Sequence, residues 1–103
     1  MINILLEGFD IDAPWLYGEL KNYIKPNHSV AVVAFSFRDN RVKSLSDWDA
    51  LYGKVNGKYH DGIVGGFTAY GIPADKITFI NYFTDTKETA AQKIKKADII
   101  YFL

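Results

Sequence analysis

The sequence predicts an α/β domain, a three-layer sandwich in which one parallel sheet lies between helices. Three observations carry this. Four short apolar runs alternate with stretches whose apolar residues recur at helical spacing. Two of the runs, "VAVVAF" and "DIIYFL", are apolar at nearly every position, the pattern of strands covered on both faces. Gly, Pro and Asn punctuate the joins, and no repeat, linker or low-complexity tract divides the chain, so residues 1–103 read as one domain.

The first strand is expected over Ile2–Glu7, ended by Gly8. Asp12 is a suitable N-cap for a helix with Pro14 in its first turn. Leu16, Leu20, Tyr23 and Ile24 then form one apolar stripe, and Pro26 stops the helix because it lacks an N–H and restrains Lys25. The second strand is expected over Ser29–Phe35, followed by the polar loop Ser36–Lys43. A helix begins near Ser44 or Ser46 with Trp48, Leu51, Tyr52 and Val55 on one side. Asn56–Lys58 interrupts it, and Tyr59, Ile63, Phe67 and Tyr70 resume the helical spacing until Gly71 caps the second helix ahead of Pro73. The third strand is expected over Lys76–Phe83. Asp85 and Glu88 offer a capping box for a last helix with Ala90, Ala91, Ile94 and Ala97 facing inward. Asp98–Phe102 is the fourth strand. The second and fourth, being the most apolar, are expected in the sheet interior of the complete fold.

Twelve basic residues cancel twelve acidic ones, which removes the electrostatic footprint of a nucleic-acid binder. The chain has no cysteine, so disulfides, thiolate metal sites and a cysteine nucleophile are excluded. That composition fits a reducing cytoplasm. "INILL" is too short for a signal-peptide core or a membrane span, so no membrane partner is expected.

The chemistry-bearing residues are sparse. Glu7, Asp10 and Asp12 follow the first strand, but the third strand ends in "INYF", without the acceptor Asp of a phospho-receiver magnesium site. Gly62, Gly65 and Gly66 match neither the dinucleotide nor the phosphate-loop pattern and are read as sites of close helix packing or irregularity. His28 and His60 have no second ligand at metal spacing, and no G-x-S-x-G elbow surrounds any serine. No catalytic set, metal site or cofactor is therefore expected. The binding candidates are Ser36 and Arg38 in "SFRDN", where the chain leaves the carboxyl end of a central strand and Arg38 can pair with a carboxylate.

Read in order, "VAVVAFSF", "DWDALYGKV", "FTAYGIPADKITFINYF" and "KADIIYFL" resemble the amino-terminal half of the aspartyl dipeptidase (dipeptidase E-like) and cyanophycinase-like serine peptidases, within the class I glutamine amidotransferase-like superfamily. The resemblance covers nearly the whole chain. It implies a flavodoxin-like sheet and a hydrolase that cleaves a small peptide or amide bond by acyl transfer through serine. It also implies that the oxyanion glycines, the nucleophilic serine and the histidine follow the strand resembling "ADIIYFL", so this chain would be a non-catalytic front portion, inactive alone. A complete flavodoxin-like ligand-binding or interaction module is the alternative. On the truncated reading, Ile99–Leu103 is left as an apolar edge, and a homo-oligomer formed through it is expected.

Overall fold

The computed structural model describes residues 2–5, 11–34 and 42–102. Its elements are β1 (Ile2–Leu5), α1 (Pro14–Leu20), β2 (Val30–Val33), α2 (Leu45–Tyr52), α3 (His60–Thr68), a 3₁₀ turn (Ala74–Lys76), β3 (Ile77–Ile80), α4 (Lys87–Lys96) and β4 (Ile99–Phe102). The strands form one sheet in the order β1-β4-β2-β3, with every pair parallel. The two most apolar runs, β2 and β4, are the interior strands.

The layers follow from the connections. From β1 to β2 and from β2 to β3 the chain steps the same way across the sheet; from β3 to β4 it steps back. Right-handed crossovers then require α1, α2 and α3 on one face and α4 on the other. The cores show this division. Val30, Val32, Ala34, Ile77, Ile99 and Tyr101 pack with Ile24, Trp48, Tyr52, Ile63, Phe67 and Tyr70 from the three-helix side. Ala31, Val33, Ile80 and Ile100 pack with Ala90, Ile94 and Ala97 on the α4 side. Alternate residues of each strand thus feed opposite cores, which is why β2 and β4 are apolar throughout. Phe67 meets Tyr101 edge-on, with ring centroids 5.3 Å apart.

Several local expectations change. Asp12 does not cap α1: the N-cap is Ala13, with no side-chain bond, and Pro14 opens the helix. The helix ends at Leu20, so Tyr23 falls in the following turn and is 62% exposed rather than part of the buried stripe. Ser44 does cap α2, accepting from the Asp47 N–H at 3.2 Å. That helix stops at Tyr52, which leaves Val55 beyond it and exposed. Asn56, at φ 64°, makes the left-handed turn that separates α2 from α3. Gly71, at φ 91°, supplies the left-handed residue just past α3, and a Cβ there would also press on the Pro26 ring.

The cap of α4 is not Asp85 with Glu88. Thr86 and Thr89 exchange the reciprocal bonds: Thr89 N–H donates to Thr86 Oγ1 at 3.1 Å, and Thr86 N–H donates to Thr89 Oγ1 at 2.8 Å. Ala91 faces solvent, while Ala90 and Ile94 turn to the sheet. Gly62 and Gly65 are not sites of close packing, because a Cβ on either would meet nothing within 4 Å.

The largest correction concerns β4. Ile99–Phe102 pairs with β1 on one side and β2 on the other, so its backbone is no free edge and the edge expected to drive association is absent there. The sheet edges are β1 and β3. On β3 the Lys93 ammonium donates to the Phe79 carbonyl at 3.0 Å, placing a charged side chain against the ladder of an edge strand.

Candidate functional site: the carboxyl ends of β2 and β4

In the order β3-β2-β4, the chain leaves β2 for β3 on one side and returns to β4 on the other. The strand order therefore reverses between β2 and β4. Ligands of open α/β sheets bind outside the carboxyl ends of strands at such a reversal. Val33 and Phe102 are register partners at this end of the sheet.

One buried hydrogen bond shapes the β2 side. Ala34 is fully buried, and its carbonyl accepts from the Trp48 indole N–H at 3.0 Å. Trp48 is itself held between α2 and β3, edge-on to Phe79 at 6.4 Å and tilted against Tyr52 at 5.5 Å. The bond takes up the first carbonyl beyond β2. Ser36 and Arg38, and Glu7 and Asp10 after β1, lie outside the described residues.

The β3 side is organised by Asn81, which is 8% exposed and the one buried polar residue among the described residues. Its N–H donates to Asp85 Oδ2 at 2.8 Å, its carbonyl accepts from the Asp85 N–H at 2.9 Å, and its Oδ1 accepts from the Phe83 N–H at 2.9 Å. Asp85 also accepts from Lys93 Nζ at 2.7 Å and Thr89 Oγ1 at 2.9 Å. Burial pushes the Asp85 carboxyl up, but the bonds from Lys93, the Asn81 N–H and Thr89, with the charge of Lys93, outweigh it and hold the group below its ordinary value. Sequence reasoning missed Asn81. The available signal was an Asn four residues before an Asp at the mouth of a helix, a spacing suited to a side-chain-closed turn.

On the β1 side, Tyr70 donates from its hydroxyl to the Ile11 carbonyl at 2.6 Å, tying the segment after β1 to the end of α3. Burial, then the nearby Asp12 carboxylate and Tyr17, raise the Tyr70 phenol above its ordinary value. Asp12 thus acts on its surroundings as a surface charge and not as a helix cap. The histidines are engaged structurally. Lys25 N–H donates to His28 Nδ1 at 3.1 Å, closing the turn before β2. His60 Nδ1 lies 3.0 Å from the Tyr52 carbonyl, which can only accept, so that nitrogen carries the proton, and the ring stacks on Phe79 at 4.9 Å. Among the described residues, no group of three or more His, Asp or Glu gathers to hold a metal.

The arrangement defines a parallel α/β protein in which the strand order reverses between β2 and β4, with the Trp48–Ala34 bond just beyond β2 and the Asn81–Asp85 turn just beyond β3. Comparison with protein-family models, curated proteins and solved structures finds no match for this chain.

Proposed function

We propose that the chain is the amino-terminal portion of a serine-peptidase-like (dipeptidase E-like) or amidotransferase-like hydrolase, supplying one wall of the substrate crevice and not the catalytic groups. The observation that supports this reading is the reversal of strand order between β2 and β4, with the Trp48–Ala34 bond at the carboxyl end of β2. In such a protein, Arg38 would meet a substrate carboxylate, and the acyl-transfer groups would come from residues after β4. The substrate class is a small peptide or amide.

The test compares this chain with the product of its whole reading frame, using a serine-directed fluorophosphonate and a panel of dipeptides. The longer product should be labelled at a serine beyond Leu103 and should turn over peptide, while this chain stays unlabelled. Positioned acid–base and oxyanion groups each supply about 10² or more in rate, so a chain without them should not turn over. A reading frame that stops at Leu103, or labelling at Ser36, overturns the proposal. The first outcome leaves a non-catalytic flavodoxin-like binding module; the second makes the loop after β2 a catalytic site.

A further inference from the structure

Asn56 is the only asparagine followed by glycine; the other five precede Ile4, Tyr23, His28, Arg41 and Tyr82. Glycine leaves its own backbone nitrogen unshielded, so an Asn-Gly step is the place where that nitrogen most easily reaches the side-chain carbonyl. Asn56 is exposed and lies at φ 64° in the turn between α2 and α3. In the folded chain, however, the Gly57 N–H is committed: it donates to the Gly53 carbonyl at 3.1 Å. The turn is tight, because a Cβ on Gly57 would run into that same carbonyl oxygen and one on Gly53 would come 2.6 Å from the Asp49 carbonyl oxygen. The next two amides are also held, Lys58 N–H by the Ala50 carbonyl at 2.9 Å and Tyr59 N–H by the Leu51 carbonyl at 2.7 Å.

We infer that Asn56 is a covalent modification site, a succinimide-forming asparagine whose reaction is gated by the hydrogen bond from Gly57 N–H to Gly53. Opening the turn frees the Gly57 nitrogen, which loses its proton and attacks Cγ of Asn56. The N–Cγ bond forms, the Cγ–Nδ2 bond breaks, and ammonia leaves with the proton. Water then opens the ring at either carbonyl. One product is aspartate; the other is isoaspartate, in which the main chain runs through the former side-chain methylene. Both add a negative charge to a chain whose formal net charge is zero. Isoaspartate also lengthens the backbone inside the turn that holds Gly57, Lys58 and Tyr59 to α2, the helix that carries Trp48. The modification thus loosens the α2–α3 junction and, through it, the Trp48 contact with Ala34.

The test ages the chain in warm, mildly alkaline buffer with and without denaturing urea, and follows each asparagine by peptide mass spectrometry. Isoaspartate is assigned by methyl transfer from an isoaspartyl methyltransferase. An Asn56→Gln variant, whose longer side chain cyclises far more slowly, confirms the position. In urea Asn56 should convert first, ahead of Asn22, Asn27 and Asn81. In the folded chain it should convert at least about tenfold more slowly, the factor imposed by an opening free energy of about 1.4 kcal/mol. The aged, more acidic fraction, separated by ion exchange, should melt below the unaged chain. Equal rates in both conditions overturn the gate. Failure of Asn56 to convert in urea overturns the site, and an unchanged melting temperature overturns the consequence drawn for the junction.

Discussion

Ser29 and Asp98, 69 residues apart in sequence, clamp the amino ends of the two interior strands to one another. The Ser29 N–H donates to Asp98 Oδ2 at 3.0 Å, and the Ser29 carbonyl accepts from the Asp98 and Ile99 N–H groups, each at 3.0 Å. Ser29 Oγ donates to the Lys96 carbonyl at 2.7 Å, so the last turn of α4 joins the same knot. Register between parallel strands is weakly specified by apolar side chains alone, since many offsets bury them. A charged acceptor tied to one backbone N–H selects a single offset. Asp98→Ala should lower stability by about 1.5–3 kcal/mol, the range for a hydrogen bond to a charged group, and Ser29→Ala by about 1 kcal/mol. Urea unfolding checks both. The midpoint should fall with the slope unchanged, and Asp98→Asn, which keeps an acceptor, should recover part of the loss.

The indole of Trp48 should matter for its N–H as well as its bulk. Trp48→Phe retains an aromatic ring against Phe79 but orphans the buried Ala34 carbonyl, at a cost of about 1–3 kcal/mol. Trp48→Ala adds the cavity and should cost about 3–5 kcal/mol. In an Ala34 ¹³C-carbonyl-labelled sample, the Phe variant should shift the Ala34 resonance while the Val33–Phe102 ladder contacts persist. An unshifted resonance would remove the bond from the account.

Tyr70→Phe deletes the hydroxyl that holds the Ile11 carbonyl and should cost about 1–2 kcal/mol. It should also flatten the alkaline limb of the stability curve. The Tyr70 phenol titrates above its ordinary value of 10.0 when folded, so its contribution is fully present below that value and is lost as pH rises through the higher folded value. Thermal melts of parent and variant between neutral and strongly alkaline pH should converge at the alkaline end. Tyr52, raised by burial and then by Tyr59, leaves a residual alkaline slope in both.

Asp85 produces the opposite limb. Its carboxyl titrates below the ordinary value of 3.8 in the folded chain, so its contribution is present above that value and lost as pH falls through the lower folded value. Asp85→Asn should therefore be less stable than the parent at neutral pH, with the difference shrinking in acid. Lys93→Met should do the same and also release the Phe79 carbonyl on the β3 edge. Chemical unfolding at a series of acidic pH values reads the slopes, and parallel slopes in parent and Asn variant would contradict the assignment.

Gly62→Ala and Gly65→Ala should each stabilise the chain, by up to about 1 kcal/mol. Both glycines lie inside α3 with open space where a Cβ would point, so alanine removes backbone entropy from the unfolded chain without a clash. A rise in melting temperature for either variant is the expected reading. A fall would contradict the open space at these two positions.

The sequence by itself determined what depends on neighbours a few residues away. The period of the apolar residues distinguished strands from helices, and unbroken apolar runs identified β2 and β4 as covered on both faces. Trp48, Tyr52, Phe67 and Tyr70, at helical spacing, turned inward as their pattern required. Caps were legible to within a choice of two at Ser44 and Ser46, of which Ser44 caps α2. They misled where a side chain had a better partner: Asp85 was drawn to Lys93 and Asn81, and Thr86 capped α4 instead. Ser36 and Arg38 were chosen from their place after a central strand, and the reversal of strand order between β2 and β4 came only from the tertiary structure. Tertiary structure also placed β4 between β1 and β2 and joined Ser29 to Asp98, Tyr70 to Ile11 and Trp48 to Ala34. An apolar pattern encodes which face of a segment is buried, but not which strand lies beside it. That choice is made by crossover handedness and by hydrogen bonds between residues distant in the chain, whose partners are adjacent only once the sheet has formed.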